Sequence, residues 1–103
     1  MKLNYAQAAY LAQSQVQAER ARQDMKWGEQ NHTPEGWLPI LVEELGELAE
    51  AINETRFDNG PEQRLKGGAR NIVKEATHCA AVAQAIVENM YRNHESEMGQ
   101  IID

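Results

Sequence analysis

Leu38, Leu41, Leu45, Leu48 and Ile52 recur at three- and four-residue steps, and that spacing constrains the fold more than any other feature of the chain. It is the period of an amphipathic helix, and it predicts one from about Leu38 to Thr55, with Pro39 in its first turn. A second pattern of the same kind, Ile72, Cys79, Val82, Ala83, Ile86 and Met90, predicts a helix from about Ala69 to Asn93. The stretch from Asn4 to Lys26 is rich in Ala, Gln, Glu and Arg and free of Gly and Pro, so it predicts a third long helix. Its apolar residues, Leu3, Tyr10, Leu11, Val16 and Met25, form only a thin, irregular stripe. There is no strand signal and no internal repeat, so the expected fold is all-α. It is an antiparallel bundle of three long helices plus short helical turns, completed by oligomerisation.

The connections follow from turn chemistry. Trp27 to Trp37 contains two Gly, a Pro, Asn and Thr and reads as an ordered loop. Phe57 to Pro61 reads as a turn and Pro61 to Lys66 as a short helical turn, with Gly67 and Gly68 loosening the chain before the last helix. The last ten residues, from His94 to Asp103, are weakly patterned and read as a frayed tail.

With 103 residues and 42% hydrophobic content, the chain suits one small domain spanning 1–103, its core at about 27–93. The lone Cys79 cannot form an internal disulfide, which favours a reducing, cytoplasmic setting, and its Ala-rich surroundings favour a core role over a nucleophilic one. No apolar run reaches the roughly 20 residues of a membrane span, and no signal-like segment is expected. Sixteen acidic against ten basic residues, a net charge of −6, disfavour direct nucleic-acid binding. Polyphosphates remain accessible to an acidic protein when divalent cations bridge the two.

The chemistry lies in the carboxylates. In helical projection Glu44 falls near the border of the Leu38–Ile52 arc and Glu47 farther round, while Glu43, Glu50 and Glu54 lie opposite, where a solvated acidic face is the ordinary outcome. Glu75 falls inside the apolar arc of the last helix, with Asn71 and His78 on its shoulder. An ionised carboxylate there costs several kcal/mol unless a cation compensates it. An ion pair with Arg70, Lys74 or a group from elsewhere would suffice, and so would a bound metal. Glu44 and Glu47, and Glu75 and His78, are two i, i+3 pairs, the spacing that offers two ligands from successive turns. Such oxygen-rich sets favour Mg²⁺ or Mn²⁺, and the histidine moves the preference toward Mn²⁺ or iron.

These residues resemble the all-α, MazG-like nucleoside triphosphate pyrophosphohydrolases, whose pattern is E-E-x-x-E on one helix and E-x-x-D on the next. Glu43, Glu44 and Glu47 match the first block, within "EELGELAEAI", and Glu75 matches the Glu of the second. His78 stands where the family has Asp; it offers a neutral nitrogen and no charge. The resemblance covers roughly Trp27 to Asn93. It implies hydrolysis of a nucleoside triphosphate to monophosphate and pyrophosphate, with Mg²⁺, or Mn²⁺, held by Glu44, Glu47, Glu75 and His78 and with Glu43 acting on the attacking water. Lys74, Arg70 and Asn71 are the candidates to meet phosphate, and Trp27, Asn31 and His32 to meet the base. It further implies a homodimer or homotetramer. Two alternatives stand beside it. One is a carboxylate-bridged di-metal bundle using Glu-x-x-His pairs from two subunits; the other is a non-catalytic nucleotide-binding or regulatory helical dimer.

Overall fold

The computed structural model describes residues 2–55 and 68–98. They form three long helices, α1 (Tyr5–Trp27), α2 (Pro34–Glu54) and α3 (Gly68–Asn93), and a 3-10 turn at Glu95–Glu97. No strand occurs among the described residues. The turn and short helix expected between Phe57 and Lys66, and residues 99–103 of the expected frayed tail, lie outside them.

Local chemistry sets the helix ends. The Asn4 side chain accepts from the Gln7 amide at 2.8 Å while the Gln7 side chain accepts from the Asn4 amide at 3.0 Å, a reciprocal cap that starts α1. Gly28, at φ 73°, stops it, a conformation that a side chain would strain. α2 begins four residues earlier than its apolar period suggests. The Thr33 hydroxyl caps the Gly36 amide at 3.1 Å and Pro34 occupies the first helical position, so the true loop is only Gly28 to Thr33. Pro39 consequently lies inside the helix. Beyond α2, the Thr55 hydroxyl donates to the Ala51 carbonyl at 2.7 Å and lies 3.2 Å from the Gly68 carbonyl, tying the end of α2 to the start of α3.

α3 is the central element, with α2 packed on one side and α1 on the other. The two interfaces differ in kind. Between α2 and α3 the contact is apolar: Trp37, Val82 and Ala85 are buried, with Ile40, Leu41, Ile86 and Met90 against them. Asn89 is fully buried within this region. Its Oδ1 accepts from Trp37 Nε1 at 2.5 Å and from the His32 amide at 3.0 Å, and its Nδ2 donates to Asn31 Oδ1 at 3.2 Å. The short loop is thereby fastened to α3.

The inward face of α2 is not the one its leucines suggest. Trp37, Ala51 and Thr55 are buried and Leu41, Glu44 and Leu48 half-buried along the same side, whereas Leu38, Val42, Leu45, Ala49 and Ile52 are exposed. These are two parallel stripes, each at four- and three-residue steps, one register apart. Trp37 decides between them because it is the largest side chain available to fill the space over Val82 and Ala85.

Between α1 and α3 the contact is polar. α1 buries Glu19, Arg20 and Gln23 while Tyr5, Tyr10, Met25 and Trp27 remain exposed. Arg20 forms a fork on Glu88, Nε to Oε2 at 3.1 Å and Nη2 to Oε1 at 2.5 Å, and also binds Asp24 at 3.1 Å. The Gln17 amide donates to Gln84 at 2.9 Å. The Arg20 hydrogen bonds hold the Glu88 carboxyl below the usual carboxylate range. A carboxylate lowered on folding stabilises the protein above its ordinary value of 4.5 and loses that contribution as pH falls through the lowered one. Stability should therefore decline on acidification below about 4.5, and Glu88→Gln, followed by thermal unfolding at several pH values, should make that decline shallower. An unchanged profile would mean that the pair contributes nothing.

Candidate metal centre and adjoining cleft

Glu44 and Glu47 on α2 and Glu75 and His78 on α3 converge. One ligand atom from each lies within 4.8 Å of every other. His78 Nδ1 is 3.6 Å from Glu75 Oε2 and 3.9 Å from Glu44 Oε2. The four residues chosen from sequence as metal ligands are thus brought together, and Glu44 faces α3 rather than standing at the border of an apolar arc.

A fifth group joins them. Glu19, on α1, places Oε1 3.7 Å from His78 Nε2, with its side chain only 9% exposed. Nothing in the Ala- and Gln-rich pattern of α1 marks this residue.

The cluster is rich in acceptors and poor in donors. Glu44 Oε2 and Glu75 Oε2 are buried oxygens that accept no hydrogen bond, and Glu19 Oε1 likewise accepts none of regular geometry, although the exposed Arg22 forms an ion pair with it. Glu19 Oε2 accepts from Gln23 at 3.3 Å. Burial raises the Glu44 carboxyl above its usual range; Glu47 adds to the effect, His78 opposes it, and Glu75 and Glu43 contribute less. The Cys79 thiol beside them is raised as well, first by burial and then by Glu44, Glu75 and Glu47, which makes it a poor nucleophile. Buried acceptors without protein donors, on three carboxylates with one imidazole, are a donor set that suits a divalent ion.

A cleft of about 340 Å³ runs from this cluster between α1 and α2. Glu44, Glu47 and His78 line one end; Arg22, Lys26, Trp27 and Gln30 line α1 and the turn after it, and Trp37, Val82 and Ala85 its floor. Lys26 Nζ sits 4.7 Å from the centre of the Trp27 ring, so a cation and an exposed aromatic face occur side by side. Of the residues selected for substrate, Trp27 is placed in this cleft. Arg70 and Lys74 line a neighbouring hollow with Arg22, Thr77 and His78. Asn71 is half-buried on α3. Asn31 and His32 are engaged elsewhere: Asn31 accepts from Asn89, Arg92 and Asn93, and the His32 ring packs edge-on against Trp37 at 4.7 Å. Glu43 is exposed and outside the four-residue group. Sequence reasoning missed Glu19, Arg22 and Lys26, all on α1.

No family model matches the chain, and no curated protein or solved structure is similar to it.

Proposed function

We propose that the chain is a nucleoside triphosphate pyrophosphohydrolase of the MazG-like kind, hydrolysing an NTP or dNTP to the monophosphate and pyrophosphate. The observation that carries this reading is a single cleft that joins an acidic, cation-suited cluster to two basic side chains and an exposed indole. A metal-bound polyphosphate needs the first two environments and a base the third.

Glu44, Glu47, Glu75 and His78 would hold the Mg²⁺ or Mn²⁺, and their orphaned oxygens are the reason the residues fit it. When bound, such an ion neutralises phosphate charge, polarises the α-phosphorus and acidifies water. The protein's own groups do the rest. Arg22 and Lys26 bind phosphate oxygens leading away from the cluster, with Arg70 and Lys74 on its other flank. Trp27 stacks on the base. Glu43, one residue before Glu44, orients the attacking water and takes its proton. The test is phosphorus NMR after incubation with a panel of ribo- and deoxyribonucleoside triphosphates in Mg²⁺ and, separately, Mn²⁺. Monophosphate with pyrophosphate is expected; no turnover with either ion would leave a nucleotide-binding module in its place.

The same reading includes an antiparallel bundle completed by a second copy, as dimer or tetramer, in the cytoplasm. Its support is the outer stripe of α2, with Leu38 59%, Leu45 49% and Ile52 50% exposed. The radius of gyration, 16.5 Å, exceeds the roughly 13 Å of a compact domain of this length, so the helices do not close a full core alone. No helix among the described residues is long and apolar enough to cross a membrane, and an exposed apolar stripe of this kind suits a protein surface. Leu45→Glu should reduce the mass seen in sedimentation to that of one chain; an unchanged mass would assign the stripe no role in assembly.

A further inference from the structure

His78 faces carboxylates through both ring nitrogens, and the two sides differ. Toward Nδ1 lie Glu75 Oε2 at 3.6 Å and Glu44 Oε2 at 3.9 Å, two of the three carboxylate oxygens around the ring that accept no hydrogen bond. Toward Nε2 lies Glu19 Oε1 at 3.7 Å, from a different helix. Glu19 is 7% exposed, among the most buried residues of α1, and it is an acid set beside a group of acids. Arg22 pairs with this carboxylate from the surface and Gln23 donates to it, yet its placement against three further carboxylates still carries an electrostatic cost.

We propose that Glu19 is a positioning residue for His78. Its Oε1 accepts the Nε2 proton, which fixes the neutral imidazole in one tautomer and turns the Nδ1 lone pair toward Glu44 and Glu75. The site thereby takes a cation that accepts a nitrogen ligand, of the Mn²⁺ class, in preference to Mg²⁺. This rests on the cation site proposed above and deepens it.

The donor chemistry supports this, and the 3.7 Å approach leaves the two groups a small side-chain movement from a hydrogen bond. A metal-binding imidazole ordinarily donates its other nitrogen to a carboxylate or carbonyl, and that partner orients the ring and strengthens its basicity. Gln23 steadies the Glu19 carboxylate by donating to Oε2 at 3.3 Å, leaving Oε1 for the ring. Arg22 pairs with the same oxygen from the solvent side, its own side chain 67% exposed. Mg²⁺ prefers an all-oxygen octahedron and gains little from an oriented imidazole, whereas Mn²⁺ accepts one readily. The opposite arrangement, with Nδ1 donating and Nε2 as ligand, would aim the lone pair toward Glu19 alone and away from Glu44 and Glu75.

The experiment is calorimetric titration of the full chain with Mn²⁺ and with Mg²⁺, for the parent, Glu19→Gln, His78→Ala and the double variant. Glu19→Gln should weaken Mn²⁺ binding about ten- to hundredfold and Mg²⁺ binding much less, lowering the preference between the ions. In the His78→Ala background the same change should add almost nothing. An equal loss in both backgrounds would make Glu19 a direct ligand or a bulk charge and overturn the positioning role. Unchanged Mn²⁺ binding in Glu19→Gln would overturn it while leaving the cation site intact, and a parent that binds neither ion would remove both.

Discussion

Glu75→Gln will abolish the stabilisation of this protein by Mn²⁺ while leaving its helical content intact. Glu75 carries one of the three hydrogen-bond-free carboxylate oxygens beside His78, and its side chain is 13% exposed, so water compensates it poorly. In the parent, Mn²⁺ at a hundred times its dissociation constant should contribute about 2.7 kcal/mol. For a chain of this length that is a rise in melting temperature of roughly 10 to 20 °C. The glutamine keeps the shape and removes the charge. It should therefore bind the ion too weakly to shift the melting curve, and it should melt at or above the parent's temperature without metal, because one member of a repelling group has been neutralised. Circular dichroism melts with and without Mn²⁺ read both effects. A variant that still gains several degrees from Mn²⁺ would place the cation elsewhere or nowhere.

Asn89→Leu should be the most damaging single change outside the acidic cluster. The side chain is 0% exposed, and its oxygen takes hydrogen bonds from the Trp37 indole and the His32 amide. Leucine matches it in size but leaves both donors unpaired in a buried place, at about 1 to 3 kcal/mol each. A total of about 3 to 5 kcal/mol is a large share of the 5 to 15 kcal/mol that such a domain possesses. Urea unfolding should show a much lower midpoint with little change in slope. Asn89→Asp, which keeps the accepting oxygen, should cost less than leucine. If leucine costs under about 1 kcal/mol, the loop is held by the Trp37 packing alone.

The elements themselves were legible because their signals are local. Helix-former composition placed α1, and helical periodicity α3, to within a residue or so, and the capping Thr33 with Pro34 explains the earlier start of α2. Which side of α2 points inward was not legible. The stripe Leu38, Val42, Leu45, Ala49, Ile52 and the stripe Trp37, Leu41, Glu44, Leu48, Ala51 are both compatible with burial, and the choice depends on what lies opposite. Glu75 and His78 were visible as polar residues in an apolar arc; Asn89, between Ile86 and Met90, carries the same signal and was passed over. Glu19 gave none. On a helix with few apolar residues to define a face, a buried acid looks like any other.

The contrast between the two faces of α3 also orders the molecule in time. α2 is held by apolar burial around Trp37, whereas α1 is held largely by the Arg20–Glu88 fork and amide pairs that water and salt can replace. α1 should accordingly be the least cooperative part of the structure and the first to exchange its amide hydrogens, increasingly so as ionic strength rises. It also carries Glu19, Arg22, Lys26 and Trp27, one entire wall of the cleft. The segment that supplies most of the prospective grip on a nucleotide is thus the segment that can most cheaply let go, so that entry and release would be governed by the fraying of a helix rather than by a hinge.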